Sequence, residues 1–267
     1  MPEAKAGDLR IVHDTAGGGD PVLMINGIGA ARGAWDLQVP AISAEYQAIT
    51  FDNRDVGQTG PGDRTVFYSM RQFADDAVGL LDALGIERAH IVGASMGGCI
   101  AQEFAIAYPS RTRSVTIICS WAAVDHWMAE LWEQWEHLFA AQGPVEWART
   151  TWLWVFTHRW YDQNPSQLSE MIAAAEIDPH PQTLEMYLRQ SHAAKTFDAV
   201  DRLPAIAAPA HVIVGAEDIF TPPRYSQEIA ARIPEAKLTI LPNAGHGAFW
   251  ETTEAFNEAV LAFLRRH

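Results

Sequence analysis

The sequence is poor in cysteine and in positive charge, and it has no long apolar run. Only Cys99 and Cys119 are present. Two thiols cannot build a disulfide framework, and the pair fits a reducing compartment. Against 19 Lys and Arg stand 33 Asp and Glu, a formal net charge of −14 at pH 7. So acidic a chain lacks the basic patches that nucleic acid and anionic membranes select, and neither is expected as a partner. No stretch approaches the ~20 apolar residues of a membrane span. The opening MPEAKAGDLR lacks the apolar core of a secretory signal. The expected setting is therefore cytoplasmic. No His-x-x-x-His and no Cys/His cluster has metal-ligand spacing, so no metal is expected. Gly17-Gly18-Gly19 lacks the Gly-Lys-Ser/Thr ending of a phosphate loop and reads as a hairpin turn.

What is there is globular. The chain has 267 residues, 48% hydrophobic and 19% charged, enough for one large or two small domains with a substantial core. Short apolar runs at 9–13, 22–26, 47–52, 89–93, 114–119, 210–215 and 236–241 read as strands. Between them, 70–84, the stretch from 94 to Pro109, 223–233 and 252–266 show helical spacing. Alternating strands and helices predict a mostly parallel sheet with helices on both faces. Between 120 and 205 the alternation fails. That stretch reads as helices broken at Gly143-Pro144, Asn164-Pro165 and Asp178-Pro179-His180-Pro181.

The sharpest motif is Gly93-Ala94-Ser95-Met96-Gly97, which follows a predicted strand and opens a predicted helix. A nucleophilic serine on so tight a turn needs glycines two before and two after it, so that strand and helix can approach. The helix start adds positive potential and free N–H groups. A serine hydroxyl also needs a base. His246, in Asn243-Ala244-Gly245-His246-Gly247, follows the last predicted strand. Asp218, in Gly215-Ala216-Glu217-Asp218, follows the strand before it and is placed to orient the imidazole. Glu217 is the alternative; Asp218 is preferred because it precedes the Ile-Phe-Thr-Pro turn. Cys99, one turn beyond Ser95, reads as a small buried hydrophobe.

These three motifs, in the order Ser…Asp…His, make the chain resemble the α/β-hydrolase family along essentially its whole length. The resemblance implies an eight-stranded, mostly parallel sheet flanked by helices, with a helical cap inserted after strand 6. The core would then be 1–120 and 206–267, and the cap 121–205. It implies an oxyanion hole built from the backbone N–H groups of Ile28, in Asn26-Gly27-Ile28-Gly29, and Met96. Asn26 stands where the family usually has His; it resembles the 3-oxoadipate enol-lactonases, as do Trp35 and Phe51-Asp52-Asn53-Arg54-Asp55-Val56-Gly57. Serine at 95 disfavours the dehalogenase and epoxide hydrolase relatives, whose nucleophile is Asp.

Eight of the ten tryptophans lie between Trp121 and Trp160. About half are expected to pack the cap and a few to line an apolar pocket. The pocket expected from sequence contains Trp35, Trp121, Trp154, His192, Phe220 and Phe249. The activity expected is hydrolysis of a small, fairly apolar carboxylic ester or lactone through an acyl-enzyme, with no cofactor. The alternatives are a C–C bond hydrolase or enol-lactonase of aromatic degradation, a thioesterase, a cofactor-independent haloperoxidase, and a small-molecule receptor on the same fold. A cap arginine for a substrate carboxylate would discriminate among them, with Arg149, Arg159 and Arg189 as candidates. The chain is expected to act on a small molecule as a monomer or homodimer.

Overall fold

The computed structural model describes residues 2–7, 9–60 and 66–267. Its strands are β1 (Glu3–Ala6), β2 (Leu9–Gly17), β3 (Pro21–Ile25), β4 (Gln47–Phe51), β5 (Ala89–Ala94), β6 (Thr112–Ile118), β7 (Ala210–Gly215) and β8 (Lys237–Leu241). They form one sheet in the order β1-β2-β4-β3-β5-β6-β7-β8. β2 runs antiparallel to β1 and β4, and every pair from β4 to β8 is parallel. The helices are α1 (Val39–Ser43), α2 (Met70–Ala83), α3 (Met96–Ala107), α4 (His126–Val155), α5 (His158–Gln163), α6 (Pro165–Glu176), α7 (Leu184–Lys195), α8 (Pro223–Arg232), α9 (Ala248–Glu251) and α10 (Thr253–Leu264).

The strands are apolar on both faces because helices cover both. In β3, Leu23 and Ile25 join the core beneath α2, α3 and α8, while Val22 and Met24 join the one beneath α1 and α10. The period of two thus divides a single apolar run between two layers. α2 opens on a capping box in which Gln72 reaches back to the Ser69 N–H at 2.9 Å.

Two expectations change. β1 was not foreseen, and Gly17-Gly18-Gly19 is no hairpin turn. β2 and β3 are not neighbours, because β4 lies between them; the glycines carry the chain across its end. A side chain at Gly17 would stand 2.3 Å from Ser43 O.

The stretch from 121 to 205 contributes no strand to the sheet and carries α4–α7 between β6 and β7. Its ends are pinned together by an Ala123–Asp198 bridge and by Ala199 N–H donating to Ala122 O at 2.8 Å. α4 is bent at Gly143, whose φ of 81° and ψ of −178° interrupt the helix just before Pro144. Among the described residues no helix is long and apolar enough to cross a membrane.

Candidate active site

The Gly93–Gly97 turn joins β5 to α3. Ser95 sits there at φ 57°, ψ −121°, a conformation that costs a non-glycine residue of order 1–3 kcal/mol and persists only when its surroundings enforce it. They do. Ser95 N–H donates to Ile118 O at 2.8 Å, and Ser95 O accepts from Gly98 N–H and Ser120 Oγ, both at 2.9 Å. A Cβ on Gly93 would lie 2.0 Å from Gly97 O, and one on Gly97 would lie 2.2 Å from Ile25 O. The glycines in the motif are therefore steric requirements of the crossing.

The β3–α1 loop passes directly over this turn: a Cβ on Gly27 would be 3.2 Å from Ser95 Cβ and 3.6 Å from Ser95 Oγ. Among the described residues neither Ile28 N–H nor Met96 N–H finds a protein acceptor. Asn26 belongs to a cross-brace beneath the loop. Its Nδ2 donates to Phe51 O at 3.3 Å, and Asn53 Nδ2 donates to Asn26 O at 3.1 Å. The buried Asp52 carboxylate adds a further tie, accepting from Arg32 N–H at 2.8 Å and Arg32 Nη1 at 2.6 Å.

Asp218 and His246 lie at the ends of β7 and β8. Asp218 Oδ2 is 2.9 Å from His246 Nδ1, and both residues are buried. Asp218 Oδ1 accepts from Phe220 N–H at 2.9 Å and Thr221 N–H at 2.7 Å. The Thr221 hydroxyl donates to Oδ2 at 2.7 Å and stands 3.0 Å from His246 Nδ1. A carboxylate holding Nδ1–H leaves the Nε2 lone pair free to act as a base. Among the described residues no hydrogen bond joins Ser95 Oγ to His246, although both face one cavity; such bonds often close only around substrate. Glu217 is turned to the surface beside Arg159, 3.5 Å away.

Cys99 is buried as expected, with its thiol pushed up to about 12 by burial. Cys119 is buried as well. With Asp218 and His246 it forms a grouping close enough for a metal among the described residues. Asp218 Oδ2 and His246 Nδ1 are engaged with each other, and burial, with the Asp218 carboxylate beside it, raises the Cys119 thiol well above the ordinary range and so disfavours the thiolate a metal would need.

The cavity measures about 370 Å³ and is lined by both the sheet loops and the inserted helices. Ser95, His246, Ile28, Trp35, Phe220 and Phe249 line it, and Trp250 continues the wall. Three expected residues do not. Trp121 is wholly buried between Trp132 and Phe220, where the chain leaves β6 beneath the insert. Trp154 packs on Trp127 and Trp135; Trp152, two residues earlier and so on the opposite side of α4, faces the cavity instead. His192 lies against Phe67, turned away by the same two-residue step from the inward-facing Gln190. Trp135 and Trp147 also line the wall.

Nor do the three arginines reach the cavity. Arg149 pairs with Glu146, Arg159 with Glu217, and Arg189 with Asp55 and Glu185. The ionisable residues lining the cavity, among those described, are His246 and Asp178.

The family model for the alpha/beta hydrolase fold matches residues 20–253. The provisionally named carbamate hydrolase RutD of Azorhizobium caulinodans is 31% identical over 265 residues, covering 98% of each chain. The provisionally named non-heme bromoperoxidase BpoC of Mycobacterium tuberculosis is 33% identical over 268 residues, covering 96% of this chain and 98% of its own. Among solved structures, the enol-lactonase of Burkholderia xenovorans LB400 superposes with a TM-score of 0.90 at 25% identity, over 99% of this chain and all of that one.

Proposed function

Since the chain belongs to the alpha/beta hydrolase fold family, we propose that it hydrolyses an uncharged, apolar carboxylic ester or lactone through a Ser95–His246–Asp218 triad. One observation carries this reading: a strained serine and a carboxylate-bound imidazole face the same aromatic cavity, which has no lining arginine or lysine among the described residues. Ser95 Oγ attacks the carbonyl carbon while His246 Nε2 takes its proton. The tetrahedral oxyanion accepts from the Ile28 and Met96 N–H groups, each worth roughly 2.7–4 kcal/mol in known holes. Asp218 stabilises the imidazolium. His246 then protonates the departing alkoxide, and an activated water releases the acid from the acyl-enzyme. The inserted helices act as a cap that keeps the carbonyl in a dry, apolar setting.

The missing cation argues against substrates that bear a carboxylate, because such a group buried without a partner is strongly disfavoured. A carbamate is the second reading, favoured by the similarity to RutD along the whole chain; it is uncharged as an ester and is attacked in the same way.

A p-nitrophenyl ester series from C2 to C12, assayed with wild type and Ser95→Ala, tests the proposal, with a matched aryl carbamate alongside. Ester turnover that disappears in Ser95→Ala supports it. Turnover that survives the substitution removes Ser95 as nucleophile. Carbamate turnover exceeding ester turnover moves the assignment to the second reading.

A further inference from the structure

Gln190 belongs to no motif, yet it is fully buried where α7 meets the β3–α1 loop. Its Oε1 accepts from the backbone N–H of Gly29 at 3.1 Å, and its Nε2 donates to Arg54 O at 2.7 Å. Gln182 adds a second donor to the same Oε1 at 3.1 Å and reaches Asp55 O at 3.0 Å. The amide of Gln190 thus joins the insert to two loops of the sheet, 161 and 136 residues away in sequence.

Gly29 immediately follows Ile28, whose N–H is assigned to the oxyanion. Ile28 has Gly27 before it and Gly29, at φ 66°, after it. Glycines confer backbone freedom, so the loop's own sequence does little to fix the peptide planes around Ile28. Asn53 holds the loop at Asn26. On the far side of Ile28, Gln190 holds it at Gly29. We infer that Gln190 is a positioning residue for the oxyanion hole, which makes the geometry of the hole depend on how α7 is seated. This rests on the serine hydrolase reading.

A role in anchoring α7 alone is separable, because Arg189 already anchors that helix. Its guanidinium grips Asp55 with two hydrogen bonds of 2.7 and 2.9 Å. The test compares Gln190→Met, close in shape but unable to accept from Gly29, with Arg189→Met. Gln190→Met is expected to lower kcat on a p-nitrophenyl ester on the order of ten- to a hundredfold with KM little changed. Affinity for phenylboronic acid, which forms a tetrahedral adduct on Ser95, falls by the same factor as kcat/KM. Inhibition by phenol, which forms no such adduct, stays as in wild type. Arg189→Met lowers the melting temperature and leaves boronate affinity in place.

Wild-type boronate affinity and kcat in Gln190→Met, or a rise in KM alone, overturns the inference. Hydrogen exchange in wild type checks it without any variant: the Gly29 amide should exchange more slowly than that of Ile28, and equal rates also overturn it. A wild type that forms no boronate adduct, with activity that survives Ser95→Ala, defeats the hydrolase reading itself and takes the role of Gln190 with it.

Discussion

Thr221 grips both oxygens of the Asp218 carboxylate, its N–H on Oδ1 and its hydroxyl on Oδ2, each at 2.7 Å. Being so close to His246 Nδ1 as well, the hydroxyl fixes the plane in which the acid meets the imidazole. Thr221→Val keeps the shape and the N–H but loses the hydroxyl. We expect kcat to fall about tenfold, in line with a hydrogen bond to a charged group of roughly 1.5–3 kcal/mol, with KM nearly unchanged. Steady-state kinetics checks this; a change confined to KM would place Thr221 outside the chemistry.

Asp218 and Glu217 are adjacent in sequence but differ in setting. Asp218 is buried against His246, while Glu217 shares the surface with Arg159. Asp218→Asn should lower kcat by about 10⁴, because an amide cannot hold the required tautomer or balance the imidazolium. Glu217→Gln should leave kcat close to wild type. Equal losses in the two variants would reverse the assignment of the acid.

The cavity predicts a charge preference. An ester carrying a carboxylate on its acyl chain should have a much lower kcat/KM than its uncharged isostere. Ala148, on the second half of α4, lines the cavity, and Ala148→Arg supplies a cation there. The ratio of the two kcat/KM values should shift towards the carboxylated ester by at least about tenfold, since a charge pair shielded from solvent is worth a few kcal/mol. An unchanged ratio would mean that the substrate does not reach that wall.

Two buried histidines predict an acid limit to stability. Burial lowers His90 to about 4, helped by the Arg113 guanidinium, and lowers His211 to about 3, helped by the Lys237 ammonium. In the unfolded chain both titrate near 6.5. Between pH 6.5 and 4 the unfolded state therefore binds protons that the folded state refuses, and stability falls as pH falls. Each histidine contributes up to about 1.4 kcal/mol per pH unit in that window, and nothing above it. Urea unfolding of wild type and His211→Gln at pH 7, 6 and 5 reads the slope. The variant should lose the share of one proton, and parallel slopes would refute the assignment.

The Gly93–Gly97 turn was legible because its geometry admits only glycine at two positions, and that requirement is written in five consecutive letters. Asp218 was separable from Glu217 for a related reason: the Ile-Phe-Thr-Pro turn carries Thr221, which holds the carboxylate. β1 escaped notice because four residues with only Ala4 and Ala6 inward give almost no apolar signal. The placement of β4 between β2 and β3 rests on pairings far apart in sequence, which local periodicity does not encode. The break after α4 also went unseen, because Thr157 starts the next helix through a cap to Trp160 N–H at 3.2 Å, without glycine or proline. Trp152 and Trp154 could be set on opposite sides from their spacing, but which side faced the cavity depended on the bend at Gly143. Gln190 gave no signal at all, since a single neutral amide has meaning only through the distant backbone it touches.

That bend also divides labour within α4. Before Gly143, Trp132 and Trp135 pack on Phe220, which in turn lies against the His246 ring, and of these two only Trp135 also reaches the cavity. Beyond it, residues from Pro144 to Val155 mainly form cavity wall. Substitutions after the bend reshape the cavity wall, while Trp132, before it, stays packed on Phe220 beside the loops that carry Asp218 and His246. A change of substrate range made by substitution between Pro144 and Val155 would therefore leave the seat of Trp132 against Phe220 in place.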